Sequence, residues 1–182
     1  MLVRREAGKK LRTTGDCMAE LEIHEATVKD AGLLADLELE SESLTHQYFH
    51  PTREGEKARH EERLKRGEKY FVAYWGEKPV GYCSIREAFT RHSLELHYLS
   101  VHKDYHRRGV GKALVEKCEQ EVPVREREKL YILVHQDNAP ALSFFNAMGF
   151  SPVGVISRYY SWGDAAVVFC KEIKDSKNKG KK

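Results

Sequence analysis

Apolar and polar positions change period along this chain, and the changes mark its elements. Leu21 to Ala26 alternates as a strand does, with Leu, Ile and Glu interleaved. Thr27-Val28-Lys29-Asp30 then reads as a capping box, with Asp where Glu is usual. Leu33, Leu34 and Leu37 give the helix that follows a buried stripe, and Glu38, Glu40 and Glu42 make its end acidic. Residues 44–52 form a connector containing Pro51, and Arg53 to Arg66 reads as a very polar helix. Lys69 to Trp75 and Pro79 to Ala88 are strands joined at Gly76-Glu77-Lys78, a hairpin signal. Ser93 to Val101 is a further strand and Val110 to Val122 a helix. Leu130 to Val134 is continuously apolar, the pattern of a fully buried central strand. Asn138 to Met148 reads as a helix with Asn138 at its N-cap, Pro140 in its first turn and Gly149 as its stop. Val153 to Arg158 and Ala165 to Ile173 complete the strands. The order β-α-α-β-β-β-α-β-α-β-β predicts an α/β fold, a mixed sheet with helices on both faces.

Composition narrows the class. With 182 residues, 41% hydrophobic and 32% charged, the chain fits one globular domain with a full core. No run of 18 apolar residues occurs, and the N-terminus lacks the apolar stretch of a signal peptide. Cys17, Cys83, Cys118 and Cys170 show no Cys-x-x-Cys spacing and read as free thiols of a reducing, cytoplasmic protein, with Cys118 and Cys170 fitting core positions. The net charge of +3 is carried by the ends: residues 1–16 hold five basic and two acidic side chains, and residues 171–182 six and two. Removing +3 and +4 leaves residues 17–170 at about −4, so no basic face for nucleic acid is expected. We therefore divide the chain into a basic leader (1–18), a folded domain (19–173) and a lysine-rich tail (174–182). Met18 stands where an alternative start would leave the leader out.

One segment carries chemistry. Tyr105-His106-Arg107-Arg108-Gly109-Val110-Gly111-Lys112 lies between the strand ending at Val101 and the helix opening at Val110. A strand, a glycine turn and a helix start together present bare N–H groups to an anion, and the helix dipole favours negative charge there. Glycines let a phosphate approach the backbone, and Arg107, Arg108 and Lys112 add positive charge. The segment is not a Walker A loop, because His106 and Ala113 occupy positions that need Gly and Ser or Thr. Nor is it a dinucleotide fingerprint, because Leu114 stands at the third glycine position.

Downstream, Asn138-Ala139-Pro140-Ala141-Leu142-Ser143-Phe144-Phe145-Asn146-Ala147-Met148-Gly149-Phe150 adds a second motif. In order and spacing the pair resembles the GCN5-related N-acetyltransferases, with an acyl-CoA turn of the form Gln/Arg-x-x-Gly-x-Gly/Ala and a later Asn-x-x-Ala segment ending in Gly-Phe. The resemblance runs from about Glu20 to Ile173 and implies the GNAT fold, with a mixed, mostly antiparallel sheet. It also implies acetyl-CoA as co-substrate. On that resemblance the backbone of Leu99, Ser100 and Val101 pairs with the pantetheine arm, and an N–H near Leu99 polarises the thioester. Arg107, Arg108, Gly109, Val110, Gly111 and Lys112 hold the diphosphate, and Asn138, Phe144 and Phe145 line the coenzyme wall. Two positions depart from the pattern. His106 replaces the usual Gln or Arg, and Phe145 replaces the tyrosine that protonates the departing thiolate in many relatives.

Acyl transfer to an amine also needs a base and an acid. Glu95 lies four residues before Leu99, which at period two puts both on one face, and histone-acetylating relatives carry a glutamate at the matching position. His97, on the same face, competes for the base role. For the acid, Tyr159 and Tyr160 stand in Arg158-Tyr159-Tyr160-Ser161-Trp162-Gly163-Asp164-Ala165, which resembles the Tyr-Tyr…Asp-Ala segment of N-terminal protein acetyltransferases, the ribosomal-protein type included. That type also uses a central-strand glutamate, and Leu133 stands there instead. His46 and His50 have i, i+4 spacing but no third ligand, so no metal is expected. The expected activity is transfer of an acetyl group to a primary amine, a protein or peptide α-amine first, by direct attack in a ternary complex. A small amine such as a polyamine or antibiotic is the alternative acceptor, and a non-catalytic acyl-CoA sensor the alternative class. No membrane partner is expected, and a homodimer is left open.

Overall fold

The computed structural model describes residues 20–41, 51–88, 90, 92–124 and 128–173. The leader, the tail, Cys17, His46 and His50 lie outside the described residues. Seven strands and four helices follow one another as β1 (Leu21–Glu25), α1 (Ala31–Leu39), α2 (Arg53–Lys65), β2 (Lys69–Trp75), β3 (Lys78–Glu87), β4 (Ser93–Val101), α3 (Val110–Val124), β5 (Lys129–His135), α4 (Ala139–Ala147), β6 (Ser151–Ile156) and β7 (Ala166–Glu172). They form one sheet in the order β1-β2-β3-β4-β5-β7-β6, antiparallel except where β4 meets β5. Each element read from the periodicity is present, in the order the periodicity gives.

Local chemistry explains the helix starts. Asp30 accepts from the Thr27 amide at 2.7 Å and from its hydroxyl at 2.8 Å, closing the box with a carboxylate one carbon shorter than usual. The Thr52 hydroxyl accepts from Gly55 N–H at the start of α2, and the Asn138 side chain from Ala141 N–H at the start of α4. The polar helix α2 is laced by i, i+4 pairs, Lys57–Glu61, Lys65–Glu61 and Arg66–Glu62, each contributing about 0.3–0.5 kcal/mol. Arg53 Nε and Nη2 bind both oxygens of Asp36, tying α2 to α1 and holding the Asp36 carboxyl below its ordinary pKa through that hydrogen bond. Among the described residues no helix is long and apolar enough to cross a membrane.

The sheet separates two cores. On the α3 and α4 side, Phe71, Cys83, Ile85, Leu94, Leu96, Leu114, Cys118, Leu130, Phe145, Phe150 and Phe169 are buried together. On the α1 and α2 side, Leu34 and Leu37 pack on Tyr70, Val72 and Tyr82. One expectation fails: β5 is not buried on both faces. Leu130, Ile132 and Val134 are buried, whereas Tyr131 and Leu133 are half-exposed. Among the described residues the α1 helix packs chiefly on β3 and β4, and Leu133 and His135 on the second face of β5 line a cleft. Cys170, expected in the core, is also only half-buried, while Cys83 is fully buried.

The second core is unusually polar. His60 of α2 is 1% exposed and stands edge-on to Tyr70, Tyr82 and Tyr98, with Nδ1 3.2 Å from the Tyr70 hydroxyl. Burial holds its pKa down at about 4, against a smaller opposing pull from Glu38. The unfolded chain takes a proton near pH 6.5 that the folded chain refuses, so this contribution to stability is complete above pH 6.5 and is lost as pH falls toward 4. Between pH 7 and pH 5 it removes about 2 kcal/mol. Urea denaturation at the two pH values should show that loss, and His60→Gln should flatten it. An unchanged pH dependence in that variant would place the acid sensitivity elsewhere.

Candidate active site

The sheet is open at its centre. β4 and β5 pair in parallel over three positions only, Ser93 with Lys129, Leu94 with Leu130 and Glu95 with Tyr131. Beyond Glu95, β4 stays with β3 and β5 stays with β7, so the two halves of the sheet diverge. The register between β3 and β4 slips at the same place: Ile85 faces Leu96 and Ser84 faces Tyr98, which leaves His97 as the extra residue of a bulge. A bulge bends its strand and sharpens the local twist. The result is a cleft of about 1280 Å³ walled by β4 from Glu95 to Val101 and by β5 from Ile132 to His135. Among the described residues the β5-facing edge of β4 has no strand partner there, an arrangement that accepts an extended ligand as an added strand.

At one end lies the glycine turn. The first helical hydrogen bond of α3 runs from Ala113 N to Gly109 O at 3.0 Å, so the amides of Val110, Gly111 and Lys112 precede the intrahelical ladder. Gly109 has φ +87°, and Arg107 adopts φ +58°, a left-handed conformation that costs a non-glycine residue about 1 kcal/mol. Such conformations next to a helix start turn successive N–H groups inward as an anion nest. His106 takes over part of the work of the residue it replaces: its Nε2 donates to Val101 O at 2.8 Å and pins the turn against the end of β4. Leu99, Ser100, Val101, Arg107, Gly109, Gly111, Lys112, Asn138, Phe144 and Phe145 all line the cleft. Arg108 is exposed and lies over the Tyr105 ring, while the Val110 side chain is buried in the core, which leaves its backbone to face a ligand at the turn. Phe145 is 97% buried against Phe144 and Phe150, and packing accounts for its side chain.

The other end gathers the candidate catalytic groups. Glu95, His97, Tyr159 and Tyr160 all line the cleft. The period-two argument linking Glu95 to Leu99 is wrong, because the bulge at His97 intervenes. Glu95 lies opposite Arg86, while Leu99 lies opposite Cys83 and packs into the α3-side core. Glu95 is only 3% exposed, and Arg86 grips both its oxygens at 3.0 and 3.1 Å. His97 has its Nδ1 2.8 Å from Glu68 Oε1, and Ser84 Oγ donates to the same oxygen. Burial raises the Glu68 pKa, but the hydrogen bonds from His97 and Ser84 and the charge of Arg63 outweigh it, leaving that carboxyl below its ordinary value.

Tyr159 and Tyr160 sit on a loop fixed by Asp164. Asp164 Oδ2 accepts from Trp162 Nε1 at 2.7 Å and from His135 Nε2 at 3.0 Å, and Tyr160, Trp162 and His135 stack as one aromatic wall. Burial, then Tyr159 and Tyr98, push the Tyr160 pKa up to about 12, and burial and Glu95 raise that of Tyr159. Asp137 also lies close to His135 and Asp164, its N–H donating to His135 Nδ1 while His135 Nε2 donates to Asp164. Glu38 and Glu56, both over 90% buried, add carboxylates to the cleft wall from α1 and α2. Glu68, Ser84, Arg86 and Asp164 were invisible as site residues in the sequence. Their signal is tertiary, except that Asp164 falls inside the Tyr-Tyr…Asp-Ala segment.

A mostly antiparallel sheet opened at its centre, with a donor-rich glycine turn at one lip, defines the class of this α/β fold. Residues 35–150 match the model of the acetyltransferase (GNAT) family, and the chain belongs to that family. It is 26% identical over 88 residues to an acetyltransferase of Pectobacterium atrosepticum, covering 48% of this chain and 61% of that one. The chain spans about half the length of the curated relatives it matches. In fold it is similar to the ribosomal-protein-S18-alanine N-acetyltransferase of Escherichia coli, with a TM-score of 0.68 and 19% identity over 89% of this chain and 99% of that one. It is also similar to the PaiA N-acetyltransferase of Thermoplasma acidophilum solved in complex with coenzyme A, with a TM-score of 0.67 and 18% identity over 84% and 98%.

The turn itself can be tested. Gly109→Val forces a branched residue to φ +87°, at a cost of about 1–2 kcal/mol. Calorimetry with coenzyme A should show the dissociation constant rising about tenfold or more, because the cradle must rearrange. An unchanged constant would remove the turn from the binding site.

Proposed function

We propose that this protein is an acetyl-CoA-dependent N-acetyltransferase whose acceptor is the α-amine of a peptide or protein. The observation that carries the reading is the split between β4 and β5, which leads from the donor-rich turn at Arg107–Lys112 to His97, Tyr159 and Tyr160. Pantetheine would lie along the open edge of β4 at Leu99–Val101, with the diphosphate on the α3 amides and the acetyl group at the bulge. The aromatic wall of Tyr160, Trp162 and His135 offers a flat surface to an incoming chain, and the fold neighbour from Escherichia coli is named for acetylating a ribosomal-protein alanine. An α-amine has a pKa near 8, against about 10.4 for lysine, so an imidazole suffices as its base. Free thiols at Cys83, Cys118 and Cys170 support a reducing compartment such as the cytoplasm.

In this reading His97 takes the proton from the attacking amine. Glu95, with both oxygens on Arg86, supplies negative charge near the amine rather than a proton acceptor. The amine nitrogen bonds to the thioester carbon, the carbonyl oxygen gains charge facing backbone N–H near Leu99, and the C–S bond breaks with its electron pair on sulfur. Tyr160, with its pKa raised to about 12, stays protonated and donates a hydrogen bond to that sulfur. Its phenol is a weaker acid than a thiol, so it does not surrender the proton. The His97 imidazolium returns it, which removes the need for a tyrosine at Phe145. A cationic small amine such as a polyamine is the second reading, favoured by the buried carboxylates Glu38 and Glu56 in the cleft wall.

Incubation with acetyl-CoA and a set of peptides should release free CoA thiol for free α-amines and none for blocked ones. His97→Gln should lower kcat about 100-fold with the KM for acetyl-CoA unchanged. Turnover with spermidine but with no peptide would select the second reading. Tight coenzyme binding without turnover on any amine would leave a sensor.

A further inference from the structure

We infer that Glu68, backed by Ser84, is a positioning residue that fixes the His97 ring in one tautomer, with Nε2 presented to the cleft. The inference rests on the reading of His97 as the base. Three neighbouring strands supply the parts. Glu68 immediately precedes β2, Ser84 stands on β3 and His97 is the bulged residue of β4. Ser84 Oγ and His97 Nδ1 both reach Glu68 Oε1, at 2.5 and 2.8 Å. A carboxylate can only accept, so Nδ1 must carry the hydrogen, and in the neutral ring Nε2 keeps its lone pair. The Glu68 and His97 side chains are 6% and 14% exposed, and the Tyr98 ring crosses the imidazole edge-on at 4.4 Å between centroids. The ring therefore has one orientation and one partner on its inner side, and His97 lines the cleft on its outer side.

The bulge makes this possible. By inserting His97 without displacing its neighbours from the β3 ladder, it lets His97 and Tyr98 occupy the same side of the sheet. The charged groups around the ring are Glu68 at 2.8 Å and, behind it, Arg63, which lies over Tyr98 and lowers the Glu68 pKa together with the two hydrogen bonds. An ionised acceptor beneath a base does two things. It selects the tautomer, and it stabilises the imidazolium that forms when the amine gives up its proton, the logic of the carboxylate in a hydrolase triad.

The test reads the tautomer directly, on the full chain without substrate. A long-range ¹H–¹⁵N spectrum near pH 8 should show the His97 ring protonated at Nδ1, with the signals assigned by their loss in His97→Gln. Glu68→Leu keeps the volume and removes the acceptor, and should move the proton to Nε2. Glu68→Gln keeps an acceptor oxygen and should preserve the tautomer. In turnover, Glu68→Leu should lose about 10- to 100-fold in kcat at constant KM for acetyl-CoA, with Glu68→Gln falling between it and the wild type. Should Glu68→Leu fail to fold, Glu68→Met, which also removes the acceptor at similar volume, serves in its place, with the same move of the proton to Nε2 as the supporting result. An unmoved proton in Glu68→Leu overturns the positioning role while leaving the base intact, whereas a neutral wild-type ring protonated at Nε2, with no lone pair toward the cleft, overturns both. Full kcat in His97→Gln overturns the base, and this inference with it.

Discussion

The parting of β4 from β5 is the constraint on which the rest of the molecule depends. Three residue pairs hold the two halves of the sheet together, and after Glu95 and Tyr131 each half follows its other neighbour. Every backbone group on the inner edge of β4 beyond that point needs a partner that the fold does not supply from β5. His106 satisfies one, the carbonyl of Val101. The bulge at His97 falls directly after the last pair, so one irregularity both bends β4 away and turns its next side chains to a new side.

The two faces of the sheet are built from different materials because they serve different ends. The α3 and α4 side is a conventional apolar core of Phe, Leu, Val and Cys, which holds the glycine turn and α4 rigidly against the strands. The α1 and α2 side places Tyr70, Tyr82, His60, Glu38, Glu56 and Glu68 below 9% exposure. Such polar burial is tolerated only where hydrogen bonds are made. They are largely made here, between Tyr82 and Glu38, between His60 and Tyr70, and among Ser84, Glu68 and His97. The buried side-chain atoms with no hydrogen-bond partner among the described residues, His60 Nε2, Arg63 Nη1 and Ser100 Oγ, all belong to residues grouped around Tyr82 and Tyr98 on this face. A polar layer of this kind keeps ionisable groups dry and oriented beside the cleft.

Charge divides along the cleft in the same sense. Arg107 and Lys112 stand at the turn, where the helix dipole also attracts an anion. Glu38, Glu56 and Glu95 stand on the walls, where an amine cation would approach. The chain's basic excess is at its ends, so this internal gradient is set by the domain itself.

The sequence by itself determined the elements, their order and the glycine turn at one end of the cleft. Those depend on local physics: periodicity sets strands and helices, and Gly109, Asn138, Pro140 and Gly149 set their ends within a few residues. The tertiary structure decided the rest. The bulge at His97 follows from how β4 must pair with β3 while leaving β5, and no local pattern announces it, so strict alternation misplaced Leu99 relative to Glu95. The half-exposure of β5 goes with the packing of α1 chiefly on β3 and β4. The partners of the candidate catalytic groups, Arg86 for Glu95 and Glu68 for His97, come from other strands, up to 29 residues away in the chain. A side chain's chemistry is set by its neighbours in space, and a one-dimensional pattern carries that information only where those neighbours are also close in sequence.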